Sequence, residues 1–307
     1  MGASSWAEFA ERFGTEQEDE RDYLAPSAIV KTGFRGLDEH LAGGLRQGPH
    51  VLMAAPGCGK SSLALSIALN VSLGGRRVLF CSLEMGRQQC LARLCSRLSV
   101  DPKSGLSTPV EWSSWEYGGK RTANALRAGN GGAPDSDPQI AALRRLSAVA
   151  GGLAIADGED VADCTSLRRT AEEGKEAGLN LLVIDYLQRL RPPQGLEGAD
   201  NIRRVSETSQ AVTSIAKDLG LPVLVISSMG RDAMKAGKPS LFGGKGSGDI
   251  EFDAVSVWQL MQNDGQTRDG TDLVDLHITK ARMGRCTGGK PLSLVFDGAH
   301  SQFLELR

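Results

Sequence analysis

No apolar run in this chain approaches the roughly 18 residues that a membrane-spanning helix needs, so the sequence predicts no such helix. The first residues lack the basic-then-apolar pattern of a secretion signal. Cysteine is thinly spread. The six thiols (Cys58, Cys81, Cys90, Cys95, Cys164 and Cys286) form no CxxC pair. They read as reduced thiols of a cytoplasmic protein, neither zinc ligands nor disulfides. Charge of one sign is also missing: the net charge of −2 carries no global signature of nucleic-acid binding. Internal repeats are absent.

What is present divides the chain unevenly. Residues 1–24 hold seven acids against Arg12 and Arg21 and predict a linker helix with an acidic tether. Ser5 and Glu8 have capping-box spacing, and Trp6, Phe9, Ala10 and Phe13 form an apolar stripe that Gly14 ends. That stripe needs a partner surface, either on its own domain or on a neighbouring subunit. From residue 25 to 307 the pattern is one α/β unit. Nine candidate strands run from Val51–Ala55 to Phe303–Leu306, with helices between the earlier ones, including Arg87–Leu98, Gln139–Val149, Cys164–Ala177 and Ile202–Leu219. Strands separated by helices imply a mostly parallel, twisted sheet with helices on both faces. The last strands follow one another through Gly-rich turns, which predicts an antiparallel C-terminal edge. Residues 104–138 are rich in Gly, Ser and Pro and read as an insertion.

Ala54-Ala55-Pro56-Gly57-Cys58-Gly59-Lys60-Ser61 fits the phosphate-binding loop, with Ala54 in place of the usual first Gly. Small residues let successive backbone N–H groups close around a polyphosphate, Lys60 supplies a cation for the outer phosphates, and the Ser61 hydroxyl can ligate Mg²⁺. Val51–Ala54 reads as a buried strand before the loop. Ser62–Val71 reads as a helix after it, with Leu63, Ala64, Ile67, Ala68 and Val71 on one face. A polyphosphate would therefore sit at a helix N-terminus, where free N–H groups and the dipole favour it.

Two further strands end in carboxylates. Asn180–Asp185 is apolar up to Asp185, which suits a Mg²⁺ held through water. Val78–Leu83 leads to Glu84, the candidate base that orients attacking water; a helix cap before Arg87–Leu98 is the competing role. Lys280 and Arg282 stand at i and i+2 on a strand end and point to one side. From the residues alone they read as a solvated basic turn, with fingers reaching a neighbour's nucleotide as the alternative.

Taken together, these segments resemble the C-terminal motor domain of the DnaB-type replicative helicases, within the RecA-like P-loop ATPases. The resemblance covers most of residues 31–307. It rests on Thr32–Asp38 with Gly43–Leu45, the phosphate loop, Ser82–Met85, Ile184-Asp-Tyr-Leu-Gln188, Ser247–Ala254 and Lys280-Ala-Arg282. It implies nucleotide contacts from Ala55, Pro56, Gly57, Cys58, Gly59, Lys60, Ser61 and Ser62. Ser61 and Asp185 would hold Mg²⁺, Glu84 would be the catalytic base, and Lys280 and Arg282 would serve the next subunit's ATP. It further implies a homo-oligomeric ring, expected to be hexameric, that hydrolyses ATP and translocates on single-stranded DNA during replication. Primase and loader partners are left open. So are two alternatives, a non-translocating regulatory ATPase and a RecA-like repair or recombination ATPase. The sequence departs from the family at Ser228-Met229-Gly230, where a Gln that senses the γ-phosphate is usual, and at Lys245-Gly246, where Arg and Glu are.

Between Tyr186 and Gly248 nine cations face five acids, and aromatics are few. A phosphate-tracking channel, rather than base stacking, fits that composition. Arg191, Arg231, Lys245, Gly246, Ser247 and Gly248 are the candidate DNA contacts; the small residues of the last stretch would expose backbone N–H groups to phosphate.

Overall fold

A computed structural model of the chain describes residues 29–100, 109–115, 138–149, 151–193, 200–230, 238–240, 248–266 and 271–306. The Trp6–Phe13 stripe and the acidic tether lie outside the described residues. Nine strands form one sheet: β1 Gly48–Ala54, β2 Val78–Ser82, β3 Leu153–Asp157, β4 Leu181–Asp185, β5 Pro222–Ser228, β6 Ser256–Gln266, β7 Asp272–Ala281, β8 Leu292–Asp297 and β9 Gln302–Glu305. Their spatial order is β3-β2-β4-β5-β1-β6-β7-β8-β9. The six from β3 to β6 are parallel, and β7, β8 and β9 join antiparallel at one edge. Both the parallel body and the antiparallel edge agree with the sequence pattern.

The helices are α1 Arg35–His40, α2 Lys60–Leu73, α3 Arg87–Ser99, α4 Pro138–Val149, α5 Cys164–Glu176, α6 Asn201–Asp218 and α7 Gly248–Asp253. Because strand side chains alternate, β1 feeds two cores at once. Leu52 and Ala54 pack with Leu63, Ile67 and Leu94 of α2 and α3 on one face. Val51 and Met53 pack with Leu167, Val212 and Ile215 of α5 and α6 on the other. All seven residues of β1 are buried, as a central parallel strand requires. Among the described residues no helix is long and apolar enough to cross a membrane.

The parallel strands therefore deliver the ends of β1, β2, β4 and β5 to one edge of the sheet. Leu83 N–H donates to Asp185 O at 2.7 Å, and Met229 N–H donates to Ala54 O at 3.4 Å, so these four strand ends are tied together where they leave the sheet.

Candidate nucleotide site

The phosphate loop leaves β1 at Ala54 and enters α2 at Lys60. Ala54 is part of the strand, paired with Ser228 on one side and Leu260 on the other. It has no positive φ, so a residue with a Cβ fits where the pattern's first glycine usually stands. Gly57 and Gly59 do need to be glycine. Gly57 has φ +85°, and Gly59 has φ +79°. A Cβ on Gly59 would also lie 2.8 Å from the ring tips of both Phe296 and Phe303. Those rings stack with centroids 4.5 Å apart and press the β8–β9 hairpin against the loop.

Gly59 gives α2 no side-chain cap, and the first turn carries no acid. The helix thus presents uncapped N–H groups behind a loop whose tip, Pro56–Gly57, is open to solvent. Ala55, Lys60 and Ser61 are half-buried at its sides. Cys58 is buried, and that burial pushes its thiol above the ordinary 9.0. Ser62 is buried as well, and its hydroxyl accepts from Arg93 Nη1 at 3.5 Å.

Asp185 ends β4 beside this loop. It is fully buried, and neither carboxylate oxygen has a hydrogen-bond partner within bonding geometry. Burial raises its pKa from 3.8 to about 6, with nearby Glu84 pushing the same way; the Ser61 hydroxyl and the Lys60 ammonium pull it down. A buried, unpaired carboxylate next to a serine hydroxyl and a phosphate loop is the donor set a hydrated Mg²⁺ fits, since a divalent charge would restore the ionised form. The Lys60 ammonium lies 5.9 Å from the centroid of the Tyr186 ring, the residue after Asp185.

Glu84 stands two residues beyond β2, in a turn held by Ser82 Oγ donating to Met85 O at 2.7 Å. It is exposed and close enough to raise the Asp185 pKa. The residue that caps α3 is Gly86, so Glu84 is not the helix cap. The structure thus brings the loop, Ser61, Asp185 and Glu84 to one place.

Lys280 and Arg282 are elsewhere. Lys280 pairs with Val257, at the start of β6, and the adjacent pair Ala281–Ser256 lies level with His50 of β1. The phosphate loop begins at Ala54, so along the strands it is about 13 Å further on, at a rise of about 3.3 Å per residue. Lys280 Nζ donates to Glu251 O at 2.9 Å and also to Phe252 O. Arg282 Nη2 donates to the same Phe252 O at 3.0 Å. Both cations therefore point to one side, at the C-terminal end of α7, where they face carbonyls with the favourable sign. Burial and Arg282 lower the Lys280 pKa, while Asp253 raises it. Phe252 and Met283 beside them are 69% and 56% exposed, large for apolar side chains.

Of the candidate DNA contacts, Arg191 is exposed just beyond β4, its Nε donating to Ala162 O at 3.3 Å. Gly248 begins α7. Arg231, Lys245, Gly246 and Ser247 lie outside the described residues. The sequence reading missed Tyr186 over Lys60 and the Phe296–Phe303 clamp on Gly59. The clamp had a visible signal, two phenylalanines at mirrored positions of a terminal hairpin, where Phe296 pairs with Phe303.

Sheet order, phosphate loop and the Asp185 strand end define a protein of the RecA-like ATPase fold. A DnaB-like replicative helicase, solved in a study of its interactions with primase, superposes with a TM-score of 0.72 at 22% identity, over 100% of this chain and 68% of that one. The RadB recombinase matches with a TM-score of 0.53 at 16% identity, over 91% of this chain and 100% of that one. More narrowly, the chain belongs to the DnaB-like helicase C terminal domain family, whose model matches residues 29–305. It is 30% identical over 287 residues to the replicative DNA helicase DnaB of Geobacillus stearothermophilus, covering 90% of this chain and 56% of that protein. With the replicative DNA helicase DnaC of Bacillus subtilis it shares 29% over 287 residues, again 90% of this chain and 56% of the relative. The chain thus spans just over half the length of the curated relatives it matches.

Proposed function

We propose that this chain is an ATP-driven motor that hydrolyses ATP between adjacent copies and translocates on single-stranded DNA as a replicative helicase. The observation that carries the reading is the separation of two half-sites. The loop, Ser61, Asp185 and Glu84 gather at one end of the parallel sheet, while Lys280 and Arg282 stand at the other. Both cations stand about 13 Å along the strands from their own phosphate loop, which supports a role at another copy's. The exposed Phe252 and Met283 beside them supply apolar area for that contact.

In this reading the loop N–H groups and Lys60 hold the outer phosphates. Mg²⁺, when bound, neutralises phosphate charge, with Ser61 and Asp185 as its protein partners. Glu84, exposed at the open face, takes a proton from the attacking water. Lys280 and Arg282 of the adjacent copy stabilise charge that develops on the transferred phosphoryl group. A ring of such copies, six by family analogy, would carry basic loops around a single strand. Arg191 and the residues 231 and 245–248 are the proposed contacts, and DNA affinity would fall steeply with salt.

The test is ATP turnover with and without single-stranded DNA, with Lys60→Ala as the inactive control and Glu84→Gln as a variant that binds ATP without hydrolysing it. Turnover that rises with DNA supports the motor. Turnover that ignores DNA, with no DNA binding at low salt, would favour a regulatory ATPase, the reading that the missing side-chain amide at Ser228-Met229-Gly230 favours.

A further inference from the structure

The short 3₁₀ turn Leu187–Arg189 connects the Asp185 end of β4 to the exposed arginines Arg189 and Arg191. One face of this turn is tied to the nucleotide side. The Tyr186 ring lies under Lys60, and the Tyr186 hydroxyl accepts from Arg189 Nε at 3.2 Å. The other face is tied to β5 through Gln188. Its Nε2 donates to Ser227 Oγ at 2.9 Å, and its Oε1 accepts from Ser228 N–H at 3.2 Å. A backbone N–H can only be met by an acceptor, so the second bond fixes which end of the carboxamide points where.

Ser228 is the residue paired with Ala54, the first residue of the phosphate loop. Gln188 therefore joins three things: the carboxylate turn after β4, the outgoing end of β5, and through Ser228 the root of the phosphate loop. The bonds span 39 and 40 residues of sequence, so they fix tertiary position and not local conformation. Ser228, Met229 and Gly230 offer no side-chain amide of their own, which leaves Gln188 as the amide at this junction.

We propose that Gln188 is a positioning residue through which DNA held at Arg191 alters turnover at the phosphate loop. The inference rests on the motor reading above and names the side chain that carries its coupling. A shift of the 3₁₀ turn under a bound phosphate backbone would be passed to Ser227 and Ser228 by the two bonds, and by the Ala54 pairing to the loop.

The experiment uses the full chain with Gln188→Met, which keeps the length of the side chain and removes both bonds, and Gln188→Ala. A third variant, Ser227→Ala, removes one bond only. ATP turnover is measured across ATP concentrations with and without single-stranded DNA, alongside thermal unfolding. The DNA stimulation factor should fall about fivefold to tenfold in Gln188→Met, the size of one to two net hydrogen bonds, while basal kcat and KM stay within about twofold. Ser227→Ala should fall between that variant and the parent. A parent-like stimulation factor in Gln188→Met would overturn the inference and leave the motor reading intact. Equal loss of basal and stimulated turnover would also overturn it, since that marks a structural role. If the parent itself ignores DNA, the motor reading fails and the inference with it.

Discussion

A carboxylate with no exposed surface and no hydrogen-bond partner is costly at neutral pH, and Asp185 carries that cost beside the phosphate loop. Its rise from 3.8 to about 6 corresponds to about 3 kcal/mol of differential stability at most. The folded protein holds this proton more tightly than the unfolded chain does. The penalty is therefore present above pH 6 and relieved as pH falls from about 6 towards 3.8. Asp185→Asn should accordingly unfold at a higher temperature than the parent at pH 8 without nucleotide or divalent cation, and the gap should close as the pH drops through 6. Mg²⁺ with nucleotide should stabilise the parent more than the variant. Unfolding curves that stay parallel across that range would show that Asp185 is not the strained group. His50 works in the opposite sense: burial lowers its pKa to about 4, so its contribution is lost on acidification, and only the difference between variant and parent isolates Asp185.

At the scale of elements, the β8–β9 hairpin packs against the phosphate loop. Phe296 and Phe303 occupy the space where a side chain at position 59 would go, and the hairpin turn is held in place by Trp112, whose Nε1 donates to Gly298 O at 3.0 Å. The Arg93 guanidinium stacks over the Trp112 ring at 4.1 Å and donates to Ser301 Oγ at 3.2 Å. Gly59→Ala should therefore suffer twice, from a left-handed backbone and from the two rings. A loss of about 2–4 kcal/mol in chemical denaturation is expected, together with weakened nucleotide binding. An alanine variant of parental stability would mean the rings yield freely. The phosphate loop, the strand that feeds it and the carboxylate at the end of β4 were legible in the sequence because each is local. All nine strands were too, since central strands are nearly all apolar. Their ends were less so. β6 runs on past its mostly apolar stretch Val257–Leu260 to Gln266, because its polar continuation Gln262-Asn263 belongs to a hairpin with β7 whose side chains are partly in water. The helices α1 and α7 have six residues each, too few for a 3.6-residue period to declare itself. Contacts made between distant residues left at most a hint, such as the two phenylalanines of the β8–β9 hairpin. Gln188 with Ser228 and Gly59 with Phe303 are neighbours only once the sheet is assembled.

For the whole molecule, the proposed motor needs two copies for each finished site. Arg282→Ala and Lys60→Ala should each be inactive alone. Mixed in equal amounts, they should recover turnover at about a quarter of interfaces, those that join an intact loop to an intact pair of cations. No recovery in assemblies known to contain both would argue that the cations act within their own copy or not at all. Where the contact that sets one end of the sheet against the opposite end of the next copy is head-to-tail, a pair of copies completes one site and leaves one unfinished. Copies joined this way either close on themselves or polymerise. A closed circle has as many finished sites as members, and its turnover per copy does not depend on concentration once formed. An open polymer always ends in one loop without cations and one cation pair without a loop, so its turnover per copy climbs as it lengthens.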